Sequence, residues 1–157
     1  MLRGIHPSAF RALLGLFDHA QTKEEDVIDE HVAMTVVSPH WFAQMLENDL
    51  GFTVIEVPAD PRIRFAHRGH ERIELMPSDG EYHDHYAYGF RTRDQWLKVI
   101  GHAQSMTAFF TEIERSDPSS TTHWVMFEIL HNPGTFIQLL FREEQIFPGV
   151  FPGKKKP

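Results

Sequence analysis

The chain has 157 residues, a formal net charge of -7, no cysteine, 11 histidines and a hydrophobic fraction of 41%. That length and apolar content fit one folded domain with a sizeable core and argue against disorder. The negative charge opposes nucleic-acid binding, the lack of cysteine excludes disulfides, thiolate nucleophiles and Cys-ligated zinc, and no apolar run reaches membrane-spanning length. The start of the chain lacks a basic-then-apolar leader, so a cytoplasmic location is expected. Thirteen Phe and three Trp point to an aromatic core or pocket lining.

Residues 1–30 read as an N-terminal helical extension. Phe10, Leu13, Leu14 and Phe17 recur at the spacing of one helix face, and Pro7 and Ser8 suit a first turn. The acidic stretch Lys23 to Glu30 reads as a solvated connector. From His31 to Val37, Val and Thr predict a strand. Ser38 then caps a helix with Pro39 at its first position; Trp41, Phe42, Met45 and Leu46 form its apolar face, and Gly51 ends it. Strands follow over Phe52 to Val57, Ile63 to Ala66 and Arg72 to Met76, with a break from Pro58 to Pro61 and a turn at Gly69. Ser78-Asp79-Gly80 is a linker.

A second unit repeats this plan. His85 to Arg91 is a strand, Thr92 with Gln95 makes a capping box, and Trp96, Val99, Ile100 and Ala103 give the next helix its apolar face. Strands are expected near Ala108 to Ile113, Trp124 to Leu130 and Phe136 to Arg142, with a turn at Asn132-Pro133-Gly134. The tail over 143–157 reads as flexible, ending in Lys154 to Lys156. Trp41 follows His31 by 10 positions and Trp96 follows His85 by 11; Glu74 follows His31 by 43 and Gln138 follows His85 by 53. The extra length in the second unit falls around Ser116 to Thr122. An internal duplication, 31–77 and 85–142, is therefore expected.

The segments His31-Val-Ala-Met-Thr-Val, Leu46-Glu-Asn-Asp-Leu-Gly-Phe, Arg72-Ile-Glu-Leu-Met-Pro, His85-Tyr-Ala-Tyr-Gly-Phe and Asn132-Pro-Gly-Thr-Phe-Ile-Gln-Leu resemble the vicinal oxygen chelate superfamily of glyoxalases, extradiol dioxygenases and bleomycin-binding proteins. The resemblance covers 31–142 and implies an α+β fold, in which paired βαβββ modules form an eight-stranded cup. It further implies a metal held by His31, Glu74, His85 and Gln138, and a homodimer. Where relatives end the second module in Ile-Glu-Leu, this chain has Ile-Gln-Leu. Strand parity agrees with the mapping: each of the four ligand positions lies opposite a continuous apolar face.

Two imidazoles, a carboxylate and a carboxamide suit Fe, Mn, Ni, Co or Zn as the divalent ion. Such an ion can take a small substrate through two adjacent oxygens as a Lewis acid, so lyase, isomerase and dioxygenase activities all fit. Gln138 cannot accept a proton, which leaves Glu74 as the catalytic base, with Glu128 as a weaker candidate near the substrate and Arg64 as a holder of an anionic substrate group. The alternative is a metal-free protein that sequesters an aromatic or antibiotic-like molecule. His83-Asp84-His85 has the His-x-His form of a cupin strand without the following Glu, and His67-Arg-Gly-His70 lacks the Glu of a zinc-protease helix.

Overall fold

The computed structural model describes residues 7–56 and 60–151. The expected strand end at Val57, the break at Pro58 and the three lysines lie outside the described residues. Among the described residues there are three α-helices, α1 (Pro7–His19), α2 (Pro39–Leu50) and α3 (Arg93–Ser105). Eight strands accompany them: β1 (Val27–Val36), β2 (Thr53–Glu56), β3 (Arg64–Arg68), β4 (Glu71–Pro77), β5 (His85–Phe90), β6 (Phe110–Arg115), β7 (Thr122–Ile129) and β8 (Phe136–Arg142). Their hydrogen-bonded order is β2-β3-β4-β1-β5-β8-β7-β6, an open mixed sheet. The fold is α+β, with the N-terminal helix in place. No helix among the described residues is long and apolar enough to cross a membrane.

The chain divides into two compact units, one from His31 to His85 and one combining the residues up to Glu30 with those from Tyr86 onward. In the first, β1 pairs with β4 in parallel, while β4–β3 and β3–β2 are antiparallel. The second repeats the order as β5-β8-β7-β6, with β7 antiparallel to both its neighbours. The repeated order 1-4-3-2 is the duplication seen in the residue pattern.

Helix α2 starts where the Ser38 side chain accepts from the Trp41 backbone N–H at 3.2 Å, with Pro39 in the first turn. It stops at Gly51, whose φ of 71° suits a residue without Cβ. Helix α3 starts on the expected capping box, Thr92 and Gln95 each bonding the other's backbone N–H. Replacing Ser38 by alanine is expected to destabilise the protein by about 1 kcal/mol, read as a lower urea midpoint with an unchanged slope.

Ala43 and Leu46 of α2 pack on Ala66, Leu75 and Phe52, with Met34, Val36 and Ile73 against them. By alternation Met34 and Val36 lie opposite His31, and Ile73 and Leu75 opposite Glu74, on their strands. Trp41 differs from expectation: it is 63% exposed and lies off the apolar face. Phe42, not Trp41, follows its strand histidine by the same eleven positions as Trp96 follows His85, and a one-residue offset turns a helix by about 100°. Trp96 is buried and donates from Nε1 to the Leu139 carbonyl at 2.9 Å.

The larger core joins Ala9, Ala12, Leu13 and Leu16 of α1 to Val99, Ile100 and Ala103 of α3 and to Tyr88, Phe127, Ile137 and Leu139 of the strands. The buried stripe of α1 is thus rotated from the expected one, and Leu14 is exposed; alanines let α1 approach closely. The acidic connector is corrected too. Glu24–Asp26 forms a single 3-10 turn, β1 already begins at Val27, and Glu30 is buried. Alternation breaks there, since Glu30 and His31 are buried in succession. The tail is packed as far as Phe151: Phe147 and Val150 are buried, and Gln145 donates to the Val150 carbonyl at 2.7 Å.

Candidate metal centre

Three expected site residues meet within the unit from His31 to His85. His31 sits on β1, Glu74 on β4 and His85 at the start of β5. The register sets Ala33 beside Glu74, and Ala33 shares its face with His31, so the parallel pairing of β1 with β4 brings imidazole and carboxylate to one side. His31 and His85 are buried, and Glu74 is half-buried. One ligand atom from each of the three lies within 4.8 Å of the others.

The spacing fits an ion. Metal bonds of about 2.0–2.2 Å place neighbouring ligand atoms roughly 3.0–3.4 Å apart and opposite ones about 4.3 Å apart. His31 Nε2 lies 3.6 Å from a Glu74 carboxylate oxygen, and the His31 and His85 ring centres are 5.6 Å apart. With one ligand atom of each residue within 4.8 Å of the others, side-chain adjustment brings all three onto one centre.

The surroundings orient the ligands. His85 Nδ1 lies 2.7 Å from the His83 carbonyl oxygen. A carbonyl only accepts, so the proton sits on Nδ1 and Nε2 carries the lone pair that a metal needs. Phe65, opposite Glu74 in the β3–β4 ladder, sets its ring edge-on to His31 at 5.7 Å and keeps that side apolar. Asp84 accepts from the Thr35 backbone N–H at 2.7 Å and from its hydroxyl at 3.0 Å, tying the approach to β5 onto β1.

Gln138 is buried in β8 opposite Met126, in the unit that excludes the three ligands. Arg64 pairs with Leu75, on the face away from Glu74, and its guanidinium donates to the Pro61 and Ile63 carbonyls. Phe65 holds the position on that strand that shares a face with Glu74. Glu128 accepts from the Gly134 backbone N–H at 3.1 Å and so braces the β7–β8 turn.

The sequence reading missed a polar group in the same unit as the ligands. Arg62 donates to both Asp60 oxygens, each at 3.2 Å, and to the Tyr82 hydroxyl at 2.9 Å. The Arg62 hydrogen bonds hold the Asp60 carboxyl below its usual range. Burial, then the Asp60 charge, raises the Tyr82 phenol, and the Glu74 charge adds to the rise. The ring of Tyr82 covers Gly80, where a Cβ would come within 2.2 Å of it. The available signal was a tyrosine two residues after Gly80, just past the Ser78-Asp79-Gly80 linker.

No family model matches the sequence, and no curated protein is similar to it at the sequence level. Solved structures are similar in fold. The Mn(II)-bound glyoxalase from Novosphingobium aromaticivorans matches at a TM-score of 0.55 and 14% identity, over 80% of this chain and 41% of that one. A hypothetical protein from Bacillus halodurans matches at 0.54 and 16%, over 77% and 98%. A Streptomyces coelicolor methylmalonyl-CoA epimerase in complex with 2-nitronate-propionyl-CoA matches at 0.51 and 14%, over 78% and 99%. The chain has the vicinal oxygen chelate fold. Fold alone does not name a reaction.

Proposed function

We propose that the protein is a metal-dependent enzyme of the glyoxalase type, acting on a small substrate through two adjacent oxygens. The observation that carries this reading is the buried His31–Glu74–His85 group, whose ligand atoms lie within 4.8 Å of one another. A mixed N/O set of two imidazoles and one carboxylate suits Mn, Fe, Co, Ni or Zn. A divalent ion held there supplies Lewis acidity to the chelated oxygens. The Mn(II) in the similar glyoxalase supports the choice of a divalent ion.

Each residue has a separate task. His85, fixed through the His83 carbonyl, and His31, walled by Phe65, orient the open side of the site and restrict water on the Phe65 side. Glu74 is the carboxylate of the group, and it takes the proton released from carbon or hydroxyl next to the chelated oxygens. Lyase, isomerase and dioxygenase reactions share this first requirement.

Glu74→Gln separates proton transfer from binding, because the amide keeps an oxygen ligand but cannot accept the proton. With protein loaded with Mn(II) and assayed on a panel of α-hydroxycarbonyl, thioester and catechol substrates, turnover of at least one is expected in the wild type. A fall of about 100-fold or more is expected in Glu74→Gln. Equal turnover in the two proteins, or none by metal-loaded wild type on any chelating substrate, overturns the reading.

One observation favours the sequestering alternative. A cavity of about 530 Å³ opens beside Val36, Val37, Trp41 and Phe42, within the size range of small-molecule sites. Trp41, exposed there, offers a stacking face to an aromatic ligand. Tight binding of an aromatic probe by metal-stripped protein, lost in Trp41→Ala, is the result expected if the protein sequesters rather than transforms.

A further inference from the structure

A second pair of imidazoles lies in the unit that excludes His31, Glu74 and His85. His19 ends α1, and His102 lies in the last turn of α3. Their ring centres are 5.6 Å apart and the planes are inclined by 35°. The His31–His85 rings have the same separation. Two imidazoles bound to one zinc through bonds of about 2.0–2.1 Å place their ring centres roughly 5 Å apart at a tetrahedral angle. The ring-centre separation is therefore close to that of two imidazoles on one ion.

The setting also favours positive charge. Both histidines stand at the C-terminal ends of their helices, where the last carbonyls point outward and the helix dipole is negative. His19 is exposed and His102 half-buried, so an ion reaches them from solvent without disturbing the core. The stripe of α1 that packs on α3 ends beside them, at Leu16 and Ala20.

We infer that His19 and His102 form a second metal site, which takes a borderline divalent ion such as zinc, nickel or copper and clasps the end of α1 to α3. Neutral imidazole nitrogens select these ions over magnesium and calcium, which want oxygen. Water completes the coordination. Because the folded chain offers both rings at once, the ion stabilises the attachment of the N-terminal helix by mass action. The inference does not depend on the reading of His31, Glu74 and His85.

Equilibrium dialysis of the tag-free full chain against zinc chloride tests it, comparing wild type, His19→Ala/His102→Ala and His31→Ala/His85→Ala. Two ions per wild-type chain are expected, with each double variant retaining one. A single ion that disappears only with His19 and His102 also supports the clasp, and it removes the other site instead. The clasp is overturned if His19→Ala/His102→Ala binds as many ions as wild type, or if the wild type binds none. Circular dichroism keeps the comparison valid, since His19 is exposed and His102 only half-buried and the substituted chain is expected to fold.

Discussion

Arg142→Ala is expected to destabilise the protein by about 3–5 kcal/mol, the range for removing one partner of a buried ion pair. Glu30 and Arg142 are 2% and 9% exposed at their side chains, with Arg142 Nη2 2.6 Å from a Glu30 oxygen. Nε lies 3.0 Å from each carboxylate oxygen, and Nη1 donates to the Thr122 hydroxyl at 3.0 Å. The site is closely wrapped: a Cβ at Gly89 would lie 3.2 Å from a Glu30 oxygen and 3.3 Å from Ile28. Taking the guanidinium away removes its charge and hydrogen bonds from a carboxylate shut off from solvent, and that desolvation produces most of the loss. Replacing both residues together, Glu30→Leu with Arg142→Leu, is expected to be far milder, because no charge stays buried. Urea unfolding of the two variants separates the cases. A single variant that loses less than about 1 kcal/mol would mean that water reaches Glu30.

The second large effect concerns metal affinity. His31→Ala and His85→Ala are each expected to weaken binding of Mn(II) or Co(II) at the His31–Glu74–His85 centre by more than about 100-fold. Disturbing only the groups that orient a ligand already weakens binding by about 10–100-fold, and these substitutions remove a ligand outright. Both rings are buried, so the variants also open small cavities, and a loss of about 2–4 kcal/mol of stability accompanies them. Phe65→Ala gives the contrast: it opens the wall beside His31 but leaves all three ligands. It is expected to lose comparable stability with a much smaller change in affinity, as measured by titration calorimetry. Equal affinity losses in all three variants would show that the fold, not the ligand set, had been tested.

Much of the architecture was legible because its signals are local. Ser38-Pro39 and Thr92 with Gln95 mark helix starts through side-chain bonds to nearby backbone, and Gly51 marks a stop through its left-handed φ. Strand parity placed Met34, Ile73, Leu75, Tyr88 and Ile137 on apolar faces, since side chains alternate whatever the partner strand. The pairing of His31, Glu74 and His85 was legible only through the family resemblance, because no local rule brings residues 43 positions apart together.

What was missed depended on the third dimension. The Lys23 to Glu30 stretch reads as solvated by charge count, whereas Glu30 is buried against Arg142, 112 positions away. Trp41 lies one position before Phe42, which takes the place on α2 that Trp96 holds on α3, and so faces solvent. Arg64 reads as a site residue by its charge alone, and register with Leu75 turns it to the other face. Arg62, Asp60 and Tyr82 look like ordinary turn residues until Tyr82 folds over Gly80.

The most direct measurement is a crystal structure of the full chain grown with Mn(II), with anomalous diffraction locating the ion. The account predicts one peak bonded to Nε2 of His31, Nε2 of His85 and a carboxylate oxygen of Glu74, at about 2.0–2.3 Å from each. A map with no peak among these three residues, at a manganese concentration that saturates binding in solution, would contradict it.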